Sequence, residues 1–150
     1  MAIRKMNFSD LGTVVNLYKD ANLFAKIRDI RKWTLKGLKK YSDYNFVYEQ
    51  NGNVLAAISA IKKRGIIVIN DIAVIISVRN QKIGTRLMRY FLQNISKSHV
   101  KKIALWVHWK NAAAIPFYYK FGFKIKKCLK TKNIYGVPDG EDIIYLEKFI

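Results

Sequence analysis

Two short segments of this 150-residue chain hold residues whose types and spacing suit chemistry. The first is Arg79-Asn80-Gln81-Lys82-Ile83-Gly84-Thr85, placed where an apolar run gives way to a helical pattern. The first N–H groups of a helix have no intrahelical acceptor, and the helix dipole adds partial positive charge there. With Arg79, Lys82 and Arg86 supplying full charges, this turn suits a phosphate or pyrophosphate. Gly84 removes a side chain where backbone must approach a ligand. The plainer reading is a solvated helix start. The second segment is Asn111 to Phe123. Its run of three alanines allows close approach of a ligand or a strand, and Tyr118 and Tyr119 bring phenols to the same end. Taken alone, it reads as a short helix with an aromatic core face.

The elements around these segments follow from hydrophobic period. Ile3 to Met6 reads as a first strand, and Ser9-Asp10 as the start of a helix carrying Leu11, Val14, Val15 and Tyr18. A second helix covers Asp29 to Tyr41. Phe46 to Glu49 and Val54 to Ile61 read as strands joined at Asn51-Gly52, a hairpin signal. Ile66 to Val78 reads as one long central strand, buried on both faces. Lys82 to Ser96 is the clearest helix, with Ile83, Leu87, Met88, Phe91, Leu92 and Ile95 on one stripe. A strand from Lys102 to His108, a helix from Asn111 to Phe121 closed by Gly122, and strands over Phe123–Leu129 and Asp142–Phe149 complete the chain. The expectation is a single α/β domain over residues 1–150, with a mixed sheet flanked by four helices.

Composition narrows the partners. Half the residues are hydrophobic (51%), so a packed core is expected rather than disorder. The apolar runs are too short for a bilayer, and the N-terminus lacks a signal-peptide core, so a soluble cytoplasmic protein is expected. One cysteine, Cys128, offers neither a disulfide framework nor a zinc cluster, and no metal is expected. The net charge of +18 favours polyanions. From Ile72 to Pro138 there is no acidic residue, against 14 Lys and Arg, so this half is expected to hold the anion.

The two segments occur together with a strand between them, and here the chain resembles the GCN5-related N-acetyltransferase superfamily. That family's phosphate loop, Q/R-x-x-G-x-G/A, is matched by Arg79 to Gly84 except at Lys82. Its second signature, N-x-x-A-x-x-F/L-Y-x-x-x-G-F, is matched by Asn111, Ala114, Phe117, Tyr118, Gly122 and Phe123. The resemblance implies a mostly antiparallel sheet and acetyl transfer from acetyl-CoA to a primary amine. It implies that the backbone of Ile72, Ala73 and Val74 pairs with the pantetheine arm, that Asn111 contacts the same arm, and that residues 79–85 hold the pyrophosphate. It makes Tyr118 the general acid toward the leaving thiolate. Lys82, at the family's first glycine, either crowds the pyrophosphate or turns outward and pairs with it. Asn133-Ile134-Tyr135 followed by Asp139-Gly140-Glu141-Asp142 is similar to the end of the branch that acetylates protein N-termini, although Ile134 and Ile143 depart from its pattern.

A general base must take a proton from the attacking amine. The glutamate frequent in that branch falls at Trp106, which cannot serve. His108 shares a strand face with Trp106, and an unperturbed imidazole, with pKa about 6.5, suits the task. Asp71, a lone acid in an apolar run, is the other candidate, and a water chain is the third. The charge disfavours polyamine and aminoglycoside acceptors and fits an acidic N-terminal peptide or a protein bound to nucleic acid. Two competing readings stay open: a nucleic-acid-binding module using Trp106, Trp109 and Lys110, and a CoA-binding sensor of the same fold. Monomer and homodimer are equally compatible with the sequence.

Overall fold

The computed structural model describes residues 2–22, 25–134 and 137–150. Seven strands form one sheet: β1 (Ala2–Lys5), β2 (Asn45–Gln50), β3 (Asn53–Lys63), β4 (Ile66–Val74), β5 (Lys102–His108), β6 (Lys124–Lys130) and β7 (Asp142–Phe149). Their spatial order is β1-β2-β3-β4-β5-β7-β6, and every neighbouring pair is antiparallel except β4 and β5. The helices are α1 (Leu11–Ala21), α2 (Ile27–Lys40), α3 (Ile83–Ile95) and α4 (Ile115–Tyr119).

Each face of the sheet has its own core. Helices α1 and α2 bury Val14, Val15, Tyr18, Ile30 and Leu38 against Val47, Ala57 and Ala73. On the other face, Leu87, Met88 and Phe91 of α3 meet Phe46, Ile58, Ile67 and Ile103, and Tyr118 and Phe123 extend that core under α4. Helix α1 begins on a short turn, Phe8–Asp10, closed by a capping box between Asn7 and Asp10. The Asp10 carboxylate is also held by both Arg4 terminal nitrogens at 2.8 and 2.9 Å, tying this entry to β1.

Two features of β4 decide what the sheet can hold. First, β4 pairs with β5 only at Ile67↔Ile103, Val68↔Ala104 and Ile69↔Leu105. Beyond that the parallel strands part, although β4 continues to Val74 and β5 to His108. Second, Asn70 is an extra residue opposite β3, since Ser59 pairs with Asp71 and Ala60 with Ile69. Such a bulge shifts the alternation of side chains by one. Ile67, Ile69, Ile72 and Val74 therefore all face α3, while Asp71 and Ala73 face α1 and α2.

Two expected elements are shorter than the periodicity suggests. The strand from Ile66 stops at Val74, and residues Ile76–Val78 form a 3-10 turn with the Ile76 side chain 76% exposed. The chain must leave the sheet here to reach the start of α3, and apolar periodicity is blind to that exit. Only part of β4 is buried on both faces, because Ile72 and Val74 border the opening beside β5. The helix expected from Asn111 is a 3-10 turn over Trp109–Ala114 followed by the one-turn α4. Asn111 has φ −106° and ψ 20°, outside helical values, and Pro116 lies in the first turn of α4, where it needs no N–H partner.

Helix α3 carries the phosphate-suited turn, so its anchoring matters. Leu87 is fully buried at its centre. Leu87→Ala is expected to cost about 2–5 kcal/mol of unfolding free energy, measured by urea denaturation.

Candidate active site

The gap between β4 and β5 opens to both sides of the sheet. It widens into a cleft of about 710 Å³ between the end of α1 and the α3–α4 side, lined by Asp20, Ala21, Ile72, Ala73, Val74, Arg79, Asn80, Gly84, Asn111, Ala113, Ala114, Phe117 and Tyr118. That volume suits a small-molecule ligand. Toward α1 and α2 lies a smaller cavity of about 180 Å³. Its walls include Asp71, Trp106, His108 and Tyr118, and Asn22 and Val137 stand at its rim. The two spaces share Ala21, Ile72, Asn111 and Tyr118, so they meet at the Tyr118 ring.

The turn before α3 makes a third hollow, about 370 Å³, continuous with the cleft through Val74, Arg79, Asn80, Gly84 and Phe117. The first α3 hydrogen bond runs from the Arg86 N–H to the Lys82 carbonyl at 3.0 Å, so the N–H groups of residues 83–85 lie ahead of the helical ladder. Lys82 adopts φ 62° and Asn80 φ 69°. Both are left-handed values that a side chain usually avoids, and at Lys82 the conformation stands where glycine would cost least. A Cβ on Gly84 would make ordinary contacts, 3.5 Å from Val74 Cγ2 and 3.8 Å from Phe117 ring carbons, where cleft and hollow join. A branched side chain there would extend into the passage. A CoA molecule fits these residues: the hollow offers N–H groups and the cations Arg79, Lys82 and Lys120, and the cleft offers the exposed side of β4.

Asp71 sits at the floor of the small cavity. The Trp33 Nε1–H of α2 donates to its Oδ2 at 3.1 Å. Burial pushes the carboxyl up to about 7, with the Trp33 bond pulling in the opposite direction. The Tyr18 hydroxyl, hydrogen-bonded to Ser59 Oγ at 2.5 Å, is held well above its usual range by burial and then by the Asp71 charge. Tyr118 is buried against Phe117 and Phe123, with ring centroids 5.4 and 6.0 Å away. Burial, then the Asp71 charge, push its phenol up to about 12. His108 ends β5. Its Nδ1 accepts the Lys110 N–H at 3.1 Å, and its Nε2 faces Glu141 Oε2 at 3.6 Å. Glu141 also accepts the Trp109 Nε1–H at 2.8 Å.

The expected residues therefore gather in one place with few exceptions. Asp71, Ile72, His108, Asn111 and Tyr118 line the smaller cavity. Ile72, Ala73, Val74, Arg79, Asn80, Gly84 and Asn111 line the cleft, and Lys82, Ile83 and Thr85 line the hollow. Gln81 is exposed and lines neither. Arg79 turns back on the strand, its Nε–H donating to the Val74 carbonyl at 3.1 Å, and the Arg86 Nη1 reaches the Tyr48 hydroxyl at 3.4 Å. Tyr135 lies outside the described residues. The sequence alone misses Trp33 and Lys120. Trp33 reads as one more apolar residue of a helical stripe, and Lys120 as one lysine among many.

Two outcomes test this geometry. Gly84→Val is expected to abolish stabilisation by CoA, whereas ~100 times its dissociation constant should stabilise the native protein by ~2.7 kcal/mol. Thermal denaturation with and without CoA measures both. Asp71 has a folded pKa above its unfolded value, so its contribution to stability falls as pH rises from about 4 to about 7 and changes little beyond. Asp71→Asn, which keeps an acceptor for Trp33, should gain on the native protein across that window and keep the gain above it, as read in melting temperatures from pH 4 to 9.

Comparison with known proteins fits this arrangement. The model of the Acetyltransferase (GNAT) family matches residues 13–123. An uncharacterised N-acetyltransferase of Methanocaldococcus jannaschii is 31% identical over 141 residues, covering 85% of this chain and 62% of that protein. The chain thus spans about three fifths of the length of this curated relative. Among solved structures, Ard1 from Thermoplasma volcanium superposes with a TM-score of 0.86 at 22% identity, over 99% of this chain and 97% of that one. Arabidopsis thaliana Naa50, in complex with the bisubstrate analogue CoA-Ac-MVNAL, superposes with a TM-score of 0.81 at 22% identity, over 98% and 97%. With a family match over most of its length, a split parallel pair and a phosphate-suited turn beside it, the chain belongs to the GNAT acetyltransferase family.

Proposed function

We propose that this chain is an acetyl-CoA-dependent N-acetyltransferase whose acceptor is the N-terminal amine of a peptide or protein. The observation that carries the reading is the meeting of two spaces at Tyr118: a cleft suited to the cosubstrate and a small cavity floored by Asp71. A thioester in one and an amine in the other are brought together without either crossing the sheet. The structural likeness to Naa50, bound to an analogue that joins CoA to a peptide, supports a peptide acceptor.

The chemistry then divides among named groups. The amine enters the small cavity and must lose a proton to attack. Asp71, pushed up to about 7 by burial, is the base best matched to neutral pH. His108 is the second candidate. Its Nδ1 lone pair is already engaged by the Lys110 N–H, which leaves the ring proton on Nε2 in the neutral form. The amine nitrogen bonds to the acetyl carbon, the carbon–sulfur bond breaks, and its electron pair leaves with sulfur. Tyr118, with a phenol at about 12, is a weaker acid than a thiol, whose ordinary value is about 8.5. Its part is to hold a proton and donate a hydrogen bond to the departing thiolate, which takes its proton from solvent or from Asp71.

The test is steady-state release of CoA thiol with a short peptide bearing an unblocked N-terminus. Turnover of the peptide, with none for the same peptide blocked at its amine, is the expected result. Failure of any unblocked peptide to react while CoA still binds would discard the reading. Tyr118→Phe should lower kcat by roughly 10²-fold with little change in the KM for acetyl-CoA. Below pH 7 kcat/KM should fall as Asp71 takes up its proton, and Asp71→Asn should remove that limb of the profile.

A further inference from the structure

Among the described residues, one half-face of the sheet has no helix over it. Helices α1 and α2 cover one side of β2 to β4, and α3 backs the other side of the sheet. On β5, Ile103, Leu105 and Val107 point into the α3 core, so Trp106 points the opposite way. The register carries Tyr145 of β7 and Lys127 of β6 onto the same face as Trp106. Trp106 is 43% exposed there. Its ring lies 4.7 Å from that of Tyr145, and the Lys127 Nζ stands over both, 5.9 and 5.3 Å from their centroids.

This face is cationic and continuous with the acceptor cavity. By register Lys102 and Lys127 lie on it with Glu147, the one carboxylate there among the described residues, which Lys102 engages at 3.2 Å, and Lys124 lies at its edge with its Nζ over the Tyr119 ring of α4. Among the described residues Lys127 makes no ion pair. Trp106 lines the cavity above Asp71 and also floors this platform, so a chain whose first residue occupies the cavity can continue across it. A second copy of the chain, with the same charge of +18, would be repelled from it.

We propose that this face binds the tail of the acceptor and selects peptides with carboxylates a few residues after the acetylated N-terminus. The inference rests on the reading of the acceptor as a peptide N-terminus. Aromatic rings give the peptide backbone a flat apolar seat, and the exposed Lys127 ammonium above them meets its carboxylates.

The experiment compares two peptides with identical first residues and either a glutamate-rich or a lysine-rich tail. The acidic tail is expected to give a kcat/KM higher by about tenfold or more, carried by KM and shrinking with added salt. Lys127→Glu should erase or invert the preference, and Lys127→Arg should keep it, with melting temperatures reporting that both variants fold. Equal efficiency on the two tails, or a preference that survives Lys127→Glu, overturns the proposal. Acetylation of neither tail while CoA binds instead overturns the peptide reading beneath it. A short single-stranded RNA that displaces the acidic peptide at lower charge concentration would assign the face to nucleic acid and overturn the proposal as well.

Discussion

The structure depends on a pairing that stops. Main-chain N–H and C=O groups must find partners, and a central parallel pair normally finds them along its whole length. Here β4 and β5 share only three paired positions before they part. On its other side β4 stays joined to β3 up to Val74, so the sheet holds together while one edge of a central strand faces a gap. That edge can accept an extended ligand as if it were another strand. The cleft, the small cavity beside Asp71 and their meeting point at Tyr118 all follow from this one divergence.

The bulge at Asn70 is the companion constraint. Without the extra residue, Asp71 would share a face with Ile67 and Ile69 and would point into the α3 core. With it, the carboxylate turns toward α2 and meets Trp33. One inserted residue thereby converts what would be a buried, unpartnered acid into one with a donor and an open side.

Much of this was readable in advance, and for identifiable reasons. Helix α3 announces itself because its apolar stripe is long and regular, and the two signatures are local in sequence. The exits from strands were not readable. Ile75 to Val78 continue the β-branched run beyond Val74 because the residues that leave the sheet are as apolar as those within it. The irregular backbone at Asn111 was hidden by neighbouring alanines, which are good helix formers. Trp33 could not have been singled out, since its partner lies 38 positions away and is set by the bulge.

The two left-handed residues in the phosphate turn have a consequence for how affinity and fold are linked. Asn80 and Lys82 hold conformations that an isolated peptide would seldom visit. They persist because the turn is clamped between the end of β4 and the buried first turn of α3, where Ile83 is 3% exposed. A ligand arriving at this turn meets an arrangement already made, and none of its binding energy is spent ordering the loop. The same clamp makes the site answerable to distant packing. A substitution that loosens α3 releases the turn toward ordinary backbone angles, so coenzyme affinity would fall before the sheet itself gives way.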